Sequence, residues 1–178
     1  MFYEKQLTAE TKYEGIIVNV RRDTVLLDNG RAAGREVVEH PGGVCVVAVT
    51  DGGDIVLVRQ YRYAVGAELL EVPAGKLERG EDPFACAVRE LSEETGYTAR
   101  EWSPLLKLHS SPGFCEETLH VYLATGLTQE GAHPDEDEIL CVEHVKFSQF
   151  KEMIIRGEIS DSKTAAGALA AAARLGIE

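Results

Sequence analysis

The sequence lacks any apolar run that approaches the roughly 20 residues needed to span a bilayer. Its first stretch, MFYEKQLTAETKYEG, also lacks the basic and then apolar layout of a secretory signal peptide. We therefore expect a cytoplasmic protein with no membrane partner. The length of 178 residues predicts one domain, or one domain with a small appendage, and is sufficient to bury a core.

Positive charge is scarce. The chain has 18 Lys and Arg residues against 30 Asp and Glu residues, which gives a net charge of -12. Binding to the phosphates of nucleic acids needs clustered basic side chains, so this deficit predicts no nucleic-acid partner. A small anionic substrate could still bind where metal ions and a few arginines reverse the sign of the charge within one pocket.

Closely spaced cysteine pairs of the kind that bind zinc or carry redox chemistry are also missing. The four cysteines are Cys45, Cys86, Cys115 and Cys141. In a cytosolic protein this wide spacing predicts reduced and mostly buried thiols rather than disulfides.

The first forty residues alternate short β-like runs with turns. The signal Asp28-Asn29-Gly30 predicts a β-hairpin. Such a ribbon buries little apolar surface by itself, so we expect it to pack on its own core or on a second subunit. We therefore divide the chain into an N-terminal antiparallel β region, residues 1–40, and a main domain, residues 41–178.

The main domain begins with VCVVAVTDGGDIVLVRQY, which predicts two apolar strands that are covered on both faces. Further strands are predicted near residues 69–72, 105–109, 119–124 and 139–147. Helices are predicted from Ser148 and from Ser160 or Asp161, and the last should end at Gly176. This order predicts a mixed sheet covered by helices.

A helix is predicted to begin at Pro83, where the missing N–H costs nothing, with Asp82 as its cap. At about 100° per residue, Phe84, Val88 and Leu91 share one side. We predict that this side is the buried face.

The same helix crowds its negative charges. Glu90, Glu93 and Glu94 lie on one arc that borders the predicted buried face. Arg89 can pair with Glu93, four residues on, whereas Glu90 and Glu94 repel each other. A hard divalent cation would remove this repulsion, because it prefers carboxylate oxygens and can bridge to phosphate. The alternative is a solvated acidic face.

The stretch GKLERGEDPFACAVRELSEETGY, from Gly75 to Tyr97, resembles the complete Nudix box, G-x5-E-x7-R-E-U-x-E-E-x-G-U. Tyr97 stands where an aliphatic residue is usual, but it is also bulky and apolar. The resemblance implies an α/β/α sandwich on a mixed sheet. It also implies a hydrolase that uses Mg²⁺, with Mn²⁺ as a substitute, to cleave a nucleoside diphosphate linked to another group.

The resemblance implies roles for individual residues. Glu90 and Glu94 would be the principal metal ligands, and Glu93 would be a further ligand or would assist the catalytic base. The backbone carbonyl of Ala74 would be another ligand, and Arg89 would orient the acids.

Outside the box, the segments VRQYR, ELLEVPAGKLERGED, SSPGFCEE and GEISDSKTAAGAL resemble the ADP-ribose pyrophosphatase branch of the family. That branch has a proline about 16 positions after the last glycine of the box, as Pro112 follows Gly96. The resemblance implies hydrolysis of ADP-ribose to AMP and ribose 5-phosphate. Another nucleotide sugar, a nucleoside triphosphate, or a sensor that binds nucleotide without turnover are the alternatives.

Two arginines in VRQYR are candidate contacts for the pyrophosphate or the ribose. Arg59 and Arg62 can each donate two hydrogen bonds to a phosphate. The alternative for these arginines is an ion pair with a nearby glutamate such as Glu71, which is itself a candidate substrate-binding residue. By resemblance, Glu117 contacts the terminal ribose, and the alternative for Glu117 is simple surface exposure.

The acidic loop GAHPDEDEI precedes a predicted strand and has the composition of a mobile lid. By resemblance, an acid just before this strand positions the attacking water. Glu138 fits that role best and Glu136 is second, while an exposed acidic turn is the alternative.

The N-terminal ribbon also has a parallel in this branch, where it is exchanged across a homodimer and the partner contributes to the adenosine pocket. An aromatic side chain such as Phe2, Tyr3 or Tyr13 could stack on the adenine.

Overall fold

The computed structural model describes residues 2–131 and 139–178. The chain divides into two compact units. The first combines Met1–Gly42 with His109–Thr118, and the second combines Gly43–Leu108 with Leu119–Glu178. The first unit therefore includes a segment, residues 109–118, that the sequence interpretation assigns to the main domain.

The first unit contains a three-stranded antiparallel sheet in the order β1-β2-β3. Its strands are β1 (Lys5–Glu14), β2 (Asn19–Leu26) and β3 (Ala32–Glu39). The predicted hairpin joins β2 and β3, and Gly30 adopts a φ of 79°, a left-handed conformation that favours glycine.

The segment 109–118 is attached to strand β3 by backbone hydrogen bonds. The N–H of Val38 donates to the carbonyl of Phe114, at 2.7 Å, and the N–H of Glu116 donates to the carbonyl of Val38, at 3.1 Å. This contact between residues far apart in the sequence explains why the segment belongs with the N-terminal ribbon.

The larger sheet has the order β10-β5-β4-β9-β8, with β6 paired to β5 and β7 paired to β4. Strands β4 and β9 are parallel, while β5 is antiparallel to β4, β6 and β10, so the sheet is mixed as predicted. The strands are β4 (Gly43–Val49), β5 (Asp54–Arg62), β6 (Ala67–Glu71), β7 (Ala74–Lys76), β8 (Tyr97–His109), β9 (Thr118–Gln129) and β10 (Leu140–Lys146).

Among the described residues, three helices cover the sheet of the second unit: α1 (Pro83–Thr95), α2 (Phe147–Ile155) and α3 (Ser162–Leu175). Helix α1 packs in one apolar cluster with the even-numbered side chains of β4, such as Val46. Helices α2 and α3 pack in another with the odd-numbered ones, such as Val47. Because successive side chains of a strand point to opposite faces, the two clusters lie on opposite sides of the sheet. The predicted α/β/α sandwich is confirmed.

The predicted buried face of helix α1 is partly wrong. Leu91 is buried as expected, but Phe84 and Val88 are 44% and 38% exposed. Glu90 and Glu94 are buried instead, at 8% and 1% exposure. Hydrophobic periodicity assumes that charged side chains face solvent. Here two carboxylates turn towards strand β7, so the buried face is rotated towards the acidic arc.

Strand β4 changes its partner along its length, and this positions β7. Residues Gly43–Cys45 pair with β7, whereas Ala48 and Val49 pair with β5. Helix α1 contacts both β4 and β7. The short strand β7 therefore brings its backbone against the acidic side of α1.

None of the helices in the described part of the chain has the length and apolar character needed to cross a membrane.

Candidate active site

Helix α1 carries four of the candidate residues, Arg89, Glu90, Glu93 and Glu94, and its first turn is capped as the sequence predicts. The side chain of Asp82 accepts hydrogen bonds from the N–H groups of Phe84, at 3.0 Å, and Ala85, at 3.1 Å. Gly96 ends the helix in a left-handed conformation, with a φ of 70°. These caps set the rotation and the register of the acidic residues between them.

The carboxylate of Glu90 lies directly against the backbone of Gly75. A Cβ atom built on Gly75 would be 1.9 Å from the carboxyl carbon of Glu90. Gly75 has no positive φ, so its backbone conformation does not require glycine. The close approach of Glu90 explains the glycine at this position of the box.

The carboxylate of Glu94 contacts the neighbouring peptide. Its Oε2 accepts a hydrogen bond from the N–H of Ala74, at 3.0 Å. Glu90 and Glu94 are thus both buried against residues 74–75 of β7. The structure therefore brings these two predicted metal ligands together with Ala74, whose backbone carbonyl is another predicted ligand.

Arg89 joins three of the box acids. Its Nε donates to Glu81 at 3.1 Å and its Nη1 donates to Glu93 at 2.8 Å, which is the predicted i,i+4 contact. The same Nη1 is 2.9 Å from Glu90. The hydrogen bond to Glu81 is the largest cause that raises the pKa of the Arg89 guanidinium, and in return it lowers the pKa of Glu81. Arg89 therefore remains charged and fixes the orientation of the acids around it.

Arg62 forms an ion pair with Glu71, which is the alternative to a substrate contact that the sequence allows. Its Nε and Nη2 donate to the two oxygens of Glu71, at 2.8 and 2.7 Å. Glu71 is fully buried, and it also accepts a hydrogen bond from Lys163, at 2.5 Å. The hydrogen bond to Glu71 is the main reason that the pKa of Arg62 is raised, and the negative charge of Glu94 contributes to the same shift. Arg62 thus lies within electrostatic reach of a predicted metal ligand.

Arg59 is placed differently. It pairs with Glu143 on β10, with Nε 2.5 Å from Oε1 and Nη2 3.2 Å from Oε2. Arg59 and Arg62 therefore bind different carboxylates. Their roles as substrate contacts stay predictions.

The remaining predicted acids are Glu117, Glu136 and Glu138. Glu117 belongs to the first unit, where its Oε1 is 3.3 Å from Nδ1 of His40. Its role in binding ribose stays a prediction. Glu136 and Glu138, the candidate water-positioning acids, lie outside the described residues.

The donor chemistry of the Glu90 and Glu94 pair fits a hard divalent cation. In residues 2–131 and 139–178, no cluster of three or more His, Cys, Asp or Glu side chains could hold a metal ion. Two carboxylates nevertheless suit Mg²⁺, which usually takes one or two carboxylates from the protein and completes its shell with water and phosphate. The two buried carboxylates beside the β7 backbone offer such a partial, oxygen-only set.

Lys163 is a residue that the sequence interpretation missed. It is the second residue of α3, where a positive charge opposes the helix dipole. A lysine at this unfavourable position, next to the capping residue Asp161, is a signal that could have pointed to a carboxylate partner in the core.

Known proteins resemble this chain over most of its length. A family model described as NUDIX domain matches residues 39–166. An ADP-ribose pyrophosphatase of Bacillus subtilis (strain 168) is 42% identical over 164 residues, which cover 91% of this chain and 89% of that protein. A methanol dehydrogenase activator of Bacillus methanolicus is also 42% identical, over 166 residues that cover 92% of this chain and 90% of that protein.

A solved structure described as an ADP compounds hydrolase has the same fold. It matches with a TM-score of 0.85 over 97% of this chain and 94% of that chain, at 21% sequence identity. Nudix hydrolases generally use divalent metal ions, in keeping with the oxygen donors on α1. The family model spans well over half of the chain, and the box residues it covers are assembled on α1 and β7, so the chain belongs to the Nudix family.

Proposed function

We propose that this Nudix protein hydrolyses ADP-ribose to AMP and ribose 5-phosphate with Mg²⁺, for which Mn²⁺ can substitute. The observation that carries the proposal is the pair of buried carboxylates, Glu90 and Glu94, held against the backbone of residues 74–75. Two carboxylates are costly to bury side by side, and a divalent cation that also binds a diphosphate would offset that cost.

The choice of ADP-ribose is supported by sequence similarity to that branch of the family. Segments outside the box resemble the ADP-ribose pyrophosphatase branch, and a relative with that name is 42% identical over most of the chain. A relative with a different name is equally similar, so overall identity does not decide the substrate.

In the proposed reaction, Glu90, Glu94 and the carbonyl of Ala74 hold the cation. When bound, the cation would neutralise the pyrophosphate and lower the pKa of a bound water. Arg89 keeps Glu90 and Glu93 in fixed orientations through its contacts at 2.9 and 2.8 Å. Glu93 is the most exposed of the three acids on α1, and we assign it to a further ligand position or to the support of the base.

Arg62 is suited to bind the diphosphate. Its pair with Glu71 uses two of the five N–H donors of the guanidinium, and a phosphate can accept from others. The negative charge of Glu94 also contributes to the raised pKa of Arg62, so Arg62 interacts electrostatically with a carboxylate of α1. The buried Glu71 would act by holding Arg62 rather than by contacting the substrate itself.

Three acids and one arginine complete the proposed site. Glu138, or Glu136 if the alignment shifts by two residues, would position the attacking water. Glu117 would bind the terminal ribose. Arg59 would provide a further contact to the pyrophosphate or the ribose.

We further propose that the protein is a cytoplasmic homodimer formed through the N-terminal ribbon. All ten residues of β1 are exposed, although the ribbon contains several large apolar side chains. Those with at least half of their surface exposed are Phe2, Tyr3, Tyr13, Ile16 and Ile17. A second copy would cover these side chains, and one of the aromatics could stack on adenine. Light scattering should give twice the mass of the 19.4 kDa chain, and a monomer at assay concentration would contradict the proposal.

The activity is tested by incubating the protein with ADP-ribose and Mg²⁺ and measuring AMP and ribose 5-phosphate. A panel of nucleotide sugars and nucleoside triphosphates, ranked by kcat/KM, decides the substrate class. If ADP-ribose yields no AMP, the proposed reaction is wrong. If ADP-ribose binds in calorimetry without turnover, the protein is a nucleotide sensor instead.

A second candidate is suggested by the Bacillus methanolicus relative, which is named as an activator of methanol dehydrogenase. The test is the rate of a methanol dehydrogenase with and without the protein. Stimulation that requires Glu94 would link activation to hydrolysis, whereas no stimulation would eliminate this candidate.

A further inference from the structure

Lys163 lies in the first turn of α3, and its charge points at a buried carboxylate. Its Nζ donates to Oε2 of Glu71 at 2.5 Å and to Oδ2 of Asp161 at 3.0 Å. The side chain of Lys163 is 13% exposed, and Glu71 is fully buried. A cation in the first turn of a helix is disfavoured by the helix dipole, so these two carboxylates must compensate for its position.

Glu71 is held by two cations from different elements, Arg62 of β5 and Lys163 of α3. Burial alone would raise the pKa of Glu71, but the hydrogen bonds and charges of the two cations outweigh burial and lower it. Glu71 is therefore ionised at neutral pH. An ionised carboxylate in the core needs both partners, because its desolvation is costly.

The same part of α3 also holds the segment that leads from Glu71 to β7. The N–H of Val72 donates to Oγ1 of Thr164, at 3.0 Å, and Thr164 is fully buried. Two residues later, the N–H of Ala74 donates to Glu94 of α1. Residues 71–74 are thus fastened to α3 at one end and to α1 at the other.

We propose that Lys163 is a positioning residue for Arg62. Lys163 binds one oxygen of Glu71 and fixes the orientation of this carboxylate. In that orientation the two oxygens of Glu71 accept hydrogen bonds from Nε and Nη2 of Arg62. Lys163 also supplies a positive charge that balances the charge of Glu71. The charge of Arg62 is then not fully compensated by Glu71 and can interact with the diphosphate. The inference deepens the proposed function, because it rests on Arg62 contacting the diphosphate.

The first test compares kinetics with ADP-ribose and Mg²⁺. Lys163→Met should raise KM about tenfold with kcat within about twofold, because a ground-state contact to the diphosphate is weakened. Lys163→Arg should restore most of the loss. Lys151→Met is the matched control, since Lys151 is also a partly buried helical lysine but donates only to the carbonyl of Ile177 in the described structure. KM of the control should not change.

A double-mutant cycle separates positioning from a general structural role. If Lys163 acts through Arg62, then Lys163→Met should have no further effect on KM in an Arg62→Met background. An equal rise of KM in both backgrounds would overturn the proposal. Lys163→Gln, which keeps a hydrogen-bond donor without the charge, replaces Lys163→Met in the cycle if thermal unfolding shows that the Met variant is not folded.

The second test does not depend on activity. The Nε–H of Arg62 can be followed by ¹⁵N NMR in the free protein, where its bond to Glu71 should slow exchange with water. Exchange should become at least about fivefold faster in Lys163→Met and remain unchanged in Lys151→Met. Unchanged exchange in Lys163→Met would overturn the positioning role. If the wild type does not hydrolyse ADP-ribose but this NMR difference is present, the proposed function fails while the positioning of Arg62 stands.

Discussion

Gly75→Ala should remove activity while leaving the fold intact. The added Cβ would lie 1.9 Å from the carboxyl carbon of Glu90, whereas ordinary contacts begin at 3.4 Å. The Glu90 carboxylate must therefore move by roughly 1.5 Å, the difference between these two distances. A shift of about 1 Å in a catalytic group can reduce the rate about 100-fold, so we expect kcat to fall by at least that factor.

The stability of this variant should change little. The atoms that the Cβ meets are the end of a flexible side chain, and the φ of Gly75 is one that alanine tolerates. Replacing glycine by alanine also reduces the entropy of the unfolded chain, an effect worth about 0.4–1 kcal/mol, and this offsets the cost of moving the buried Glu90 carboxylate relative to Arg89. We therefore expect a Tm within a few degrees of wild type, since about 1 kcal/mol shifts the Tm of a domain of this size by roughly 2–4 °C.

The assay is ADP-ribose hydrolysis at saturating Mg²⁺, combined with a thermal unfolding scan of the same samples. Gly52→Ala is the control, because its Cβ would meet the nearest atom, Oδ2 of Asp54, at an ordinary 3.4 Å. Activity and Tm of the control should match wild type. A folded Gly75→Ala protein with a kcat within about threefold of wild type would refute the argument that the position of Glu90 controls the reaction.

Three further predictions concern the cap, the thiols and a buried acid. Asp82→Ala should lower the free energy of unfolding by about 1 kcal/mol in denaturant titrations, and Asp82→Asn should lower it much less, because asparagine can still cap α1. A thiol reagent should label the exposed Cys141 in the native protein but label Cys45 only after unfolding, because burial raises the pKa of Cys45 to about 12; rapid native labelling of Cys45 would contradict its burial. Burial alone would raise the pKa of Glu71, but its two bound cations lower it. The ionised carboxylate therefore stabilises the fold fully above about pH 4.3, the ordinary pKa of a glutamate. This stabilisation is lost as the pH falls through the lowered pKa. Glu71→Gln should therefore lose less stability than wild type on acidification, and equal losses would show that Glu71 is not ionised in the native state.

Local signals were sufficient for the parts of the fold that depend on neighbouring residues. The cap at Asp82, the hairpin at Asp28-Asn29-Gly30 and the stop at Gly176 all follow from backbone requirements within a few positions. The pairing of Arg89 with a box acid follows from helical spacing alone.

Features that depend on contacts distant in sequence could not be predicted. Helical periodicity predicts that Phe84 and Val88 are buried. This is wrong because periodicity does not take into account that two carboxylates turn inward against β7. The attachment of residues 109–118 to β3 depends on two backbone hydrogen bonds between distant segments. Lys163 lies 92 residues from Glu71, so its place in the first turn of α3 indicates a carboxylate partner but not which one.

The most direct test of the central claim, that Glu90 and Glu94 together hold a divalent cation on which hydrolysis depends, is the rate of AMP release from ADP-ribose by Glu94→Gln. Glutamine has the same shape, and its amide oxygen can still accept the hydrogen bond from Ala74, so the backbone contact is preserved while the charge is removed. We predict a kcat at least about 100-fold below wild type at saturating Mg²⁺, in a protein with unchanged Tm. Full activity in Glu94→Gln would contradict the claim.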